Sequence, residues 1–481
     1  MEKFRRIFSA AMALTIVAGL SACNKEGGEN ETEATTTTTA VTAAINEETL
    51  KEEEAEKLGD ITSQLQDVEL ENKTVKWLAH YDKNPGTDGK SKSVALEMFE
   101  SKYGGNIQWY PTTWETRFSD LSSMVLGGEG IDIFPGDDTA NFPKGINSGM
   151  FQPVDDYIDM TNPLWERNAA AMELYAFGGK HYELVTGVSA ECVVIYDKST
   201  IEACGLDDPY ELWQAGNWNW DTMKELLLEY VDEDADQWGL DGFWAEKALF
   251  VSAGVPMISA SDEGLICNVN DATVEKAMNY QYDLYTNGLV FPREQFAWTT
   301  HPEFMGEGRQ LLYFCGAWCL QAAPETWTTT ISPENVMMVP VPSPAGSVNY
   351  QGATLSGFAL CKGAQNPKGA AIFAECEILA SIDENAVEIA DRKLKDDAKW
   401  SDELIAANNA INELARLNPV VDLASGCSTD IASITTDGGD TIGTRAALHG
   451  VEWTTMREMI ADTLITLVND VDTELKAKIA E

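Results

Sequence analysis

From Thr74 onward the sequence alternates short apolar segments of strand character with stretches of helical period, and glycines mark the changeovers. VKWLAHYD (Val75 to Asp82) reads as a first strand and is followed by a turn at Asn84-Pro85-Gly86. Val94, Met98, Phe99 and Tyr103 then recur near the 3.6-residue helical period until Gly104-Gly105, and IQWYP (Ile107 to Pro111) reads as a second strand. Thr113 is placed to cap the next helix, with Trp114, Phe118, Leu121 and Val125 on one face, Gly127-Gly128 at its end and a third strand over Ile131 to Phe134. Such βαβ units build a parallel sheet covered by helices on both faces, whose ligands sit beyond the carboxyl ends of the strands. Residues just after strands are therefore the first candidates for binding.

Length and charge narrow the classes. The chain has 481 residues, enough for two or three domains at roughly 150 residues each. With 14 Trp, 14 Tyr and 16 Phe it carries far more buriable surface than a disordered chain needs. Its 78 acidic against 33 basic residues, a net charge of −45, argue against phosphate-directed binding of nucleic acid or of an anionic membrane.

The N-terminus points to export. MEKFRR places Lys3, Arg5 and Arg6 before the apolar run Ile7 to Leu20, the layout of a secretory signal. Leu20-Ser21-Ala22-Cys23 resembles the bacterial lipobox, which implies a signal peptide over 1–22, a diacylglycerol on Cys23 and a protein anchored on the extracytoplasmic face of the cell membrane. The competing readings are an ordinary signal with an incidental Cys, or a short anchor, although the run falls short of the ~20 residues of a spanning helix. Residues 23–73, rich in Thr and Glu, read as a disordered linker.

Five stretches carry a family resemblance. WETRFSDLSSMVLGGEGIDIF (Trp114 to Phe134), GMFQPVDDYI (Gly149 to Ile158), Gly179 to Leu228 with YDK and GNWNWD, and the pair FMGEGRQLLYFCGAW (Phe304 to Trp318) and Val339 to Ala380 follow one another in order. Together they resemble the extracellular solute-binding proteins of bacterial ABC importers, in the family that includes the maltose-binding proteins; Asp197, Asn219 and Arg309 depart from its commoner Asn, Thr and Lys. The resemblance implies an α/β fold of two lobes, periplasmic-binding-protein-like, joined by a hinge and closing on a ligand in the cleft. It implies a first lobe over 74–188 and 336–382, a second over 189–335 and 383–481, and crossings near Gly187 to Glu191, Pro340 to Pro342 and Ala380 to Asn385. It also implies a monomer without cofactor or catalysis, a carbohydrate ligand, an oligosaccharide in particular, and a membrane permease as partner.

A sugar offers an apolar C–H face and a rim of hydroxyls, so its site needs aromatic platforms with fixed acceptors and donors. The resemblance implies stacking roles for Trp318 and Trp453, with Phe243, Trp244 and Glu191 as further carry-overs. Topology adds Tyr81 and Asp82 after the first strand, and Asp137 and Asp138 after the third, although Asp in a loop often only caps its own backbone. Trp109, Trp213, Trp218 and Trp220 are expected in the core.

Other chemistries find little support. Gly127 to Gly130 ends a helix instead of opening one, which is wrong for a phosphate loop. His80, His181, His301 and His449 are scattered, and Cys315 and Cys319 are read as buried thiols, the redox state of the eight cysteines after Cys23 staying open. Three other functions compete: binding of a cation such as a polyamine, which an acidic aromatic cleft also attracts; a secreted glycosidase; and an adhesive lipoprotein.

Overall fold

The computed structural model describes residues 53–85, 91–261, 263–322, 331–436 and 441–480, so the signal segment and Cys23 lie outside the described residues. Ten strands carry the two main sheets: β1 Thr74–Ala79, β2 Asn106–Pro111, β3 Ile133–Pro135, β4 Glu183–Ala190, β5 Val193–Asp197, β6 Trp238–Gly242, β7 Gln310–Cys315, β8 Val336–Pro340, β9 Gln351–Leu360 and β10 Pro419–Val420.

The first sheet begins as the sequence predicts. β1 pairs in parallel with β2 and β3, and Val75, Trp77, Leu78 and Ala79 are buried. Helix α1 (Val94–Tyr103) starts where the Ser93 side chain accepts from the Leu96 amide and stops at Gly104, whose positive φ of 63° suits glycine. Helix α2 (Arg117–Gly127) starts later than expected: Thr112, Thr113 and Thr116 hydrogen-bond among themselves and to Asp120 in a preceding turn, which keeps Trp114 off the helix. The long strand β9 then adds antiparallel to β3 and to β4, and β10 joins its start.

The second sheet runs β8, β5, β7, β6, antiparallel except for β7 against β6. Chain passages between the sheets run from β4 into β5 and from β8 towards β9; the resemblance placed crossings near Gly187 to Glu191 and Pro340 to Pro342. β8 itself, assigned from sequence to the first lobe with 336–382, is hydrogen-bonded into the second sheet.

The third passage is helical. α3 (Pro367–Ile382) packs in the first core, Asp383 caps α4 (Glu384–Ala398), and α5 (Asp402–Leu417) follows. Ala386 and Ile389 pack with the first core, Ala398, Leu404, Ile405 and Ile411 with the second, and Ala415 with the first again. α4 and α5 thus run out across the lobes and back, where sequence placed a single crossing near Ala380 to Asn385.

Order also begins earlier than 74. Residues 56–63 are helical, and Ile61, Leu65 and Leu70 are buried in the first core. The Tyr103 hydroxyl donates to the Gln66 carbonyl at 2.8 Å, and the Gln66 amide to Glu375 at 2.8 Å. The linker reading of 23–73 fails from about residue 56, where a helix begins to dock: Leu58 packs on the first core, Lys57 pairs with Glu388, and Ile61, Leu65 and Leu70 are buried. Among the described residues no helix is long and apolar enough to cross a membrane.

Candidate functional site

At the carboxyl ends of β1, β2 and β3, one cluster of polar and aromatic groups gathers. The His80 ring lies 5.0 Å from Tyr81 and 5.3 Å from Trp114, centroid to centroid. Arg117, the first residue of α2, places its guanidinium 3.6 Å from the centroid of Trp114 and pairs with Asp138. Trp109 donates its indole N–H to the Ala79 carbonyl at 2.9 Å and keeps 36% of its surface exposed, so it is not the core residue expected. Parallel pairing of adjacent strands fixes this arrangement: Trp109 stands opposite Trp77 in register, two pairs before the strands end at Ala79 and Pro111.

The four residues proposed here from topology divide. Tyr81 is half-buried, and burial followed by the charge of Asp137 raises its hydroxyl pKa well above 10.0. Asp137 is exposed, yet loss of water at the foot of the loops raises its carboxyl above the ordinary 3.8, against the pull of Lys83. Asp138 is buried and committed, accepting from Arg117 and from the Ala140 amide at 3.0 Å. Asp82 is exposed and accepts from the amide and the side chain of Asn84, both at 2.9 Å, so its bonds are those of a turn. Burial lowers the His80 pKa below 6.5, with Asp137 and Asp138 opposing.

The second sheet supplies the other aromatic group. Phe243 and Trp244 follow β6 and Trp318 follows β7, the two strands being parallel neighbours, and these side chains are 52%, 37% and 50% exposed. The rings of Trp244 and Trp318 lie 6.0 Å apart at 59°, and Phe243 packs edge-on to Tyr313 at 6.1 Å. Gly316 is required here, since a Cβ on it would strike the Trp318 indole nitrogen. Glu191, on the first passage between the sheets, pairs with Lys247 at the base of the helix Ala245–Val251, and its amide donates to Gly352 at 2.8 Å. It is a fastening of the hinge strand as much as a free acceptor.

Trp453 stands apart from these groups. It is fully buried with Met456 and Leu464, and its indole N–H has no acceptor among the described residues. The stacking role that the resemblance implied for it is not met, because the helix Trp453–Ala480 turns this face into the core. Sequence reasoning missed His80, Trp114 and Arg117: Trp114 was assigned to a helix face, and the lone His and Arg gave no motif. It also missed Trp298, half-exposed in a loop where Arg293 binds Asp241 and the Gly242 carbonyl at the end of β6; its ring lies 5.2 Å from His449.

Cys315 and Cys319 are buried as expected but joined as a disulfide, and Cys192, Cys204, Cys267, Cys361, Cys376 and Cys427 are free. No group of three or more metal-ligating side chains occurs among the described residues.

Two α/β sheets linked by hinge passages, with exposed aromatics at the carboxyl ends of both, define a two-lobed binding protein. The family model described as bacterial extracellular solute-binding protein matches residues 83–376, and the chain belongs to that family. No curated protein matches the sequence. Among solved structures, the GacH receptor of Streptomyces glaucescens, determined unliganded and with acarbose, is similar at a TM-score of 0.56 and 13% identity over 82% of this chain and 98% of that one. The extracellular solute-binding protein of Staphylococcus aureus in complex with maltose gives 0.55 and 13% over 86% and 99%. The galacto-N-biose-/lacto-N-biose I-binding protein of the ABC transporter from Bifidobacterium longum gives 0.53 and 15% over 82% and 97%.

Proposed function

We propose that this protein captures a carbohydrate, an oligosaccharide in particular, between its lobes and delivers it to the permease of an ABC importer, without itself catalysing a reaction. The observation that carries the reading is the pair Trp244 and Trp318, half-exposed rings 6.0 Å apart at the carboxyl ends of neighbouring parallel strands. Flat aromatic surface held open to water is what a sugar's C–H face stacks on, and Asp137 and His80 beside the first sheet supply polar groups for its hydroxyls. The three structures named above, bound to or named for sugars, support the ligand class. Export by the signal over 1–22 and a lipid on Cys23 would hold the monomeric protein beside its permease.

The exposed carboxylate of Asp137 beside aromatic rings favours one competing reading, a cationic ligand. Isothermal titration against a panel of free oligosaccharides and polyamines, at low and high salt, decides between them. Sugar binding with little salt dependence is expected; a polyamine affinity that falls steeply with salt would replace the proposal, because screening weakens charge pairing and leaves stacking unaffected.

A further inference from the structure

Cys315 ends β7, Cys319 opens the one-turn helix Cys319–Ala322, and the disulfide between them encloses Gly316, Ala317 and Trp318. Both sulfur-bearing residues are buried, with Cα atoms 6.6 Å apart, while the Trp318 ring they bracket is half-exposed. A chain with cores of this size does not need a five-residue staple for global stability. The bond therefore acts locally. Three turn hydrogen bonds complete the loop: the amides of Cys319, Leu320 and Gln321 donate to the carbonyls of Gly316, Ala317 and Trp318 at 3.0, 3.1 and 3.0 Å. Trp400 donates to the Leu320 carbonyl at 3.4 Å from the second core.

We propose that the Cys315–Cys319 disulfide positions the Trp318 platform, and that ligand affinity is consequently thiol-sensitive. With the bond formed, the Trp318 backbone is held between two buried anchors, its indole lies over Gly316, and its ring meets Trp244. With the bond broken, the three turn bonds, the Trp400 contact and the packing of Ala317 and Leu320 on the second core remain to restrain the segment. Reduction by a dithiol breaks the Sγ–Sγ bond and places one proton and one electron on each sulfur; the dithiol becomes its own disulfide. This inference rests on the reading of Trp318 as a ligand platform, which the second arm of its test addresses separately.

Peptide mapping of the unreduced full-length protein should recover residues 315 and 319 cross-linked; two free thiols there would overturn the proposal. Deuterium exchange at the amides of Cys319, Leu320 and Gln321 is then compared in oxidised protein, in protein treated with dithiothreitol and in Cys319→Ser. Exchange should accelerate on reduction by up to about thirtyfold, the loop-entropy value for a five-residue ring. Cys319→Ser should show the fast exchange without reductant and no response to it. Equal exchange before and after reduction of the wild-type protein sinks the idea even if the variant folds poorly. Maltotetraose and lacto-N-biose titrated into both redox states form the second arm: weaker binding after reduction supports the proposal, and equal measurable affinity overturns it. Failure of both states to bind these sugars counts against the carbohydrate reading alone, and the exchange result then decides the positioning role.

Discussion

Arg117 is held between a buried carboxylate and an exposed ring, paired with Asp138 on one side and 3.6 Å from the centroid of Trp114 on the other. The side chains of the pair are only 11% and 5% exposed, so neither charge has water to fall back on. Trp114 thus lies against a guanidinium that Asp138 fixes. The pair is of the kind whose single truncation costs more than the pair contributes.

Asp138→Ala should therefore destabilise the protein by about 3 kcal/mol or more, the scale for stranding one buried charge. Urea unfolding measures it. Affinity should also fall, since Arg117 would release the ring of Trp114, whereas Asp82→Ala, at a residue that among the described residues bonds within its own turn, should change stability and binding little. A silent Asp138→Ala would remove the ion pair from the account.

Trp318→Ala and Trp244→Ala should each weaken ligand binding by about 1 to 3 kcal/mol with little change in melting temperature, because half-exposed rings lend area to a ligand and little to the core. Calorimetry on the ligand found by the panel is the check. The double variant should lose less than the sum, as the rings are in contact at 6.0 Å.

The alternation of strand and helix from Thr74 was legible because β1 and β2 are short segments rich in apolar residues and α1 and α2 end at glycine, so β1, α1 and β2 lie where the periodicity places them. Loops after strands were marked as a candidate site for the same topological reason, and Tyr81 and Asp137 lie there. What escaped was set by contacts distant in sequence. Ile61, Leu65 and Leu70 find their partners beyond an acidic stretch, and the turn at Thr112, Thr113 and Thr116 displaces Trp114 from its helix. Trp453 sits at a stacking position by resemblance, but local pattern does not tell a helix's buried face from a cleft-lining one.

Trp453→Ala should accordingly behave as a core truncation, losing about 3 to 5 kcal/mol of stability. Trp453→Phe should be far milder, since the indole N–H it removes has no acceptor among the described residues. If Trp453→Phe instead abolished binding in a stably folded protein, the residue would belong to the site after all.

Glu183, the first residue of β4, sets a pH dependence. It is buried with neither carboxyl oxygen hydrogen-bonded among the described residues, and Gly136 leaves the space its carboxyl occupies, a Cβ there being in collision with it. Burial, then the charge of Asp137, raises its pKa well above 4.5. The folded state thus holds the proton more tightly than the unfolded state, so this group's contribution to stability is complete below pH 4.5 and declines as pH rises towards the folded value. Glu183→Gln keeps the shape and removes the ionisation. Its melting temperature relative to wild type should therefore be nearly constant at and below pH 4 and rise progressively above pH 4.5. Melting curves for the two proteins between pH 4 and 9 test this; a difference that stays flat across the range would show that Glu183 is ionised in the folded protein and solvated by a route other than the contacts described.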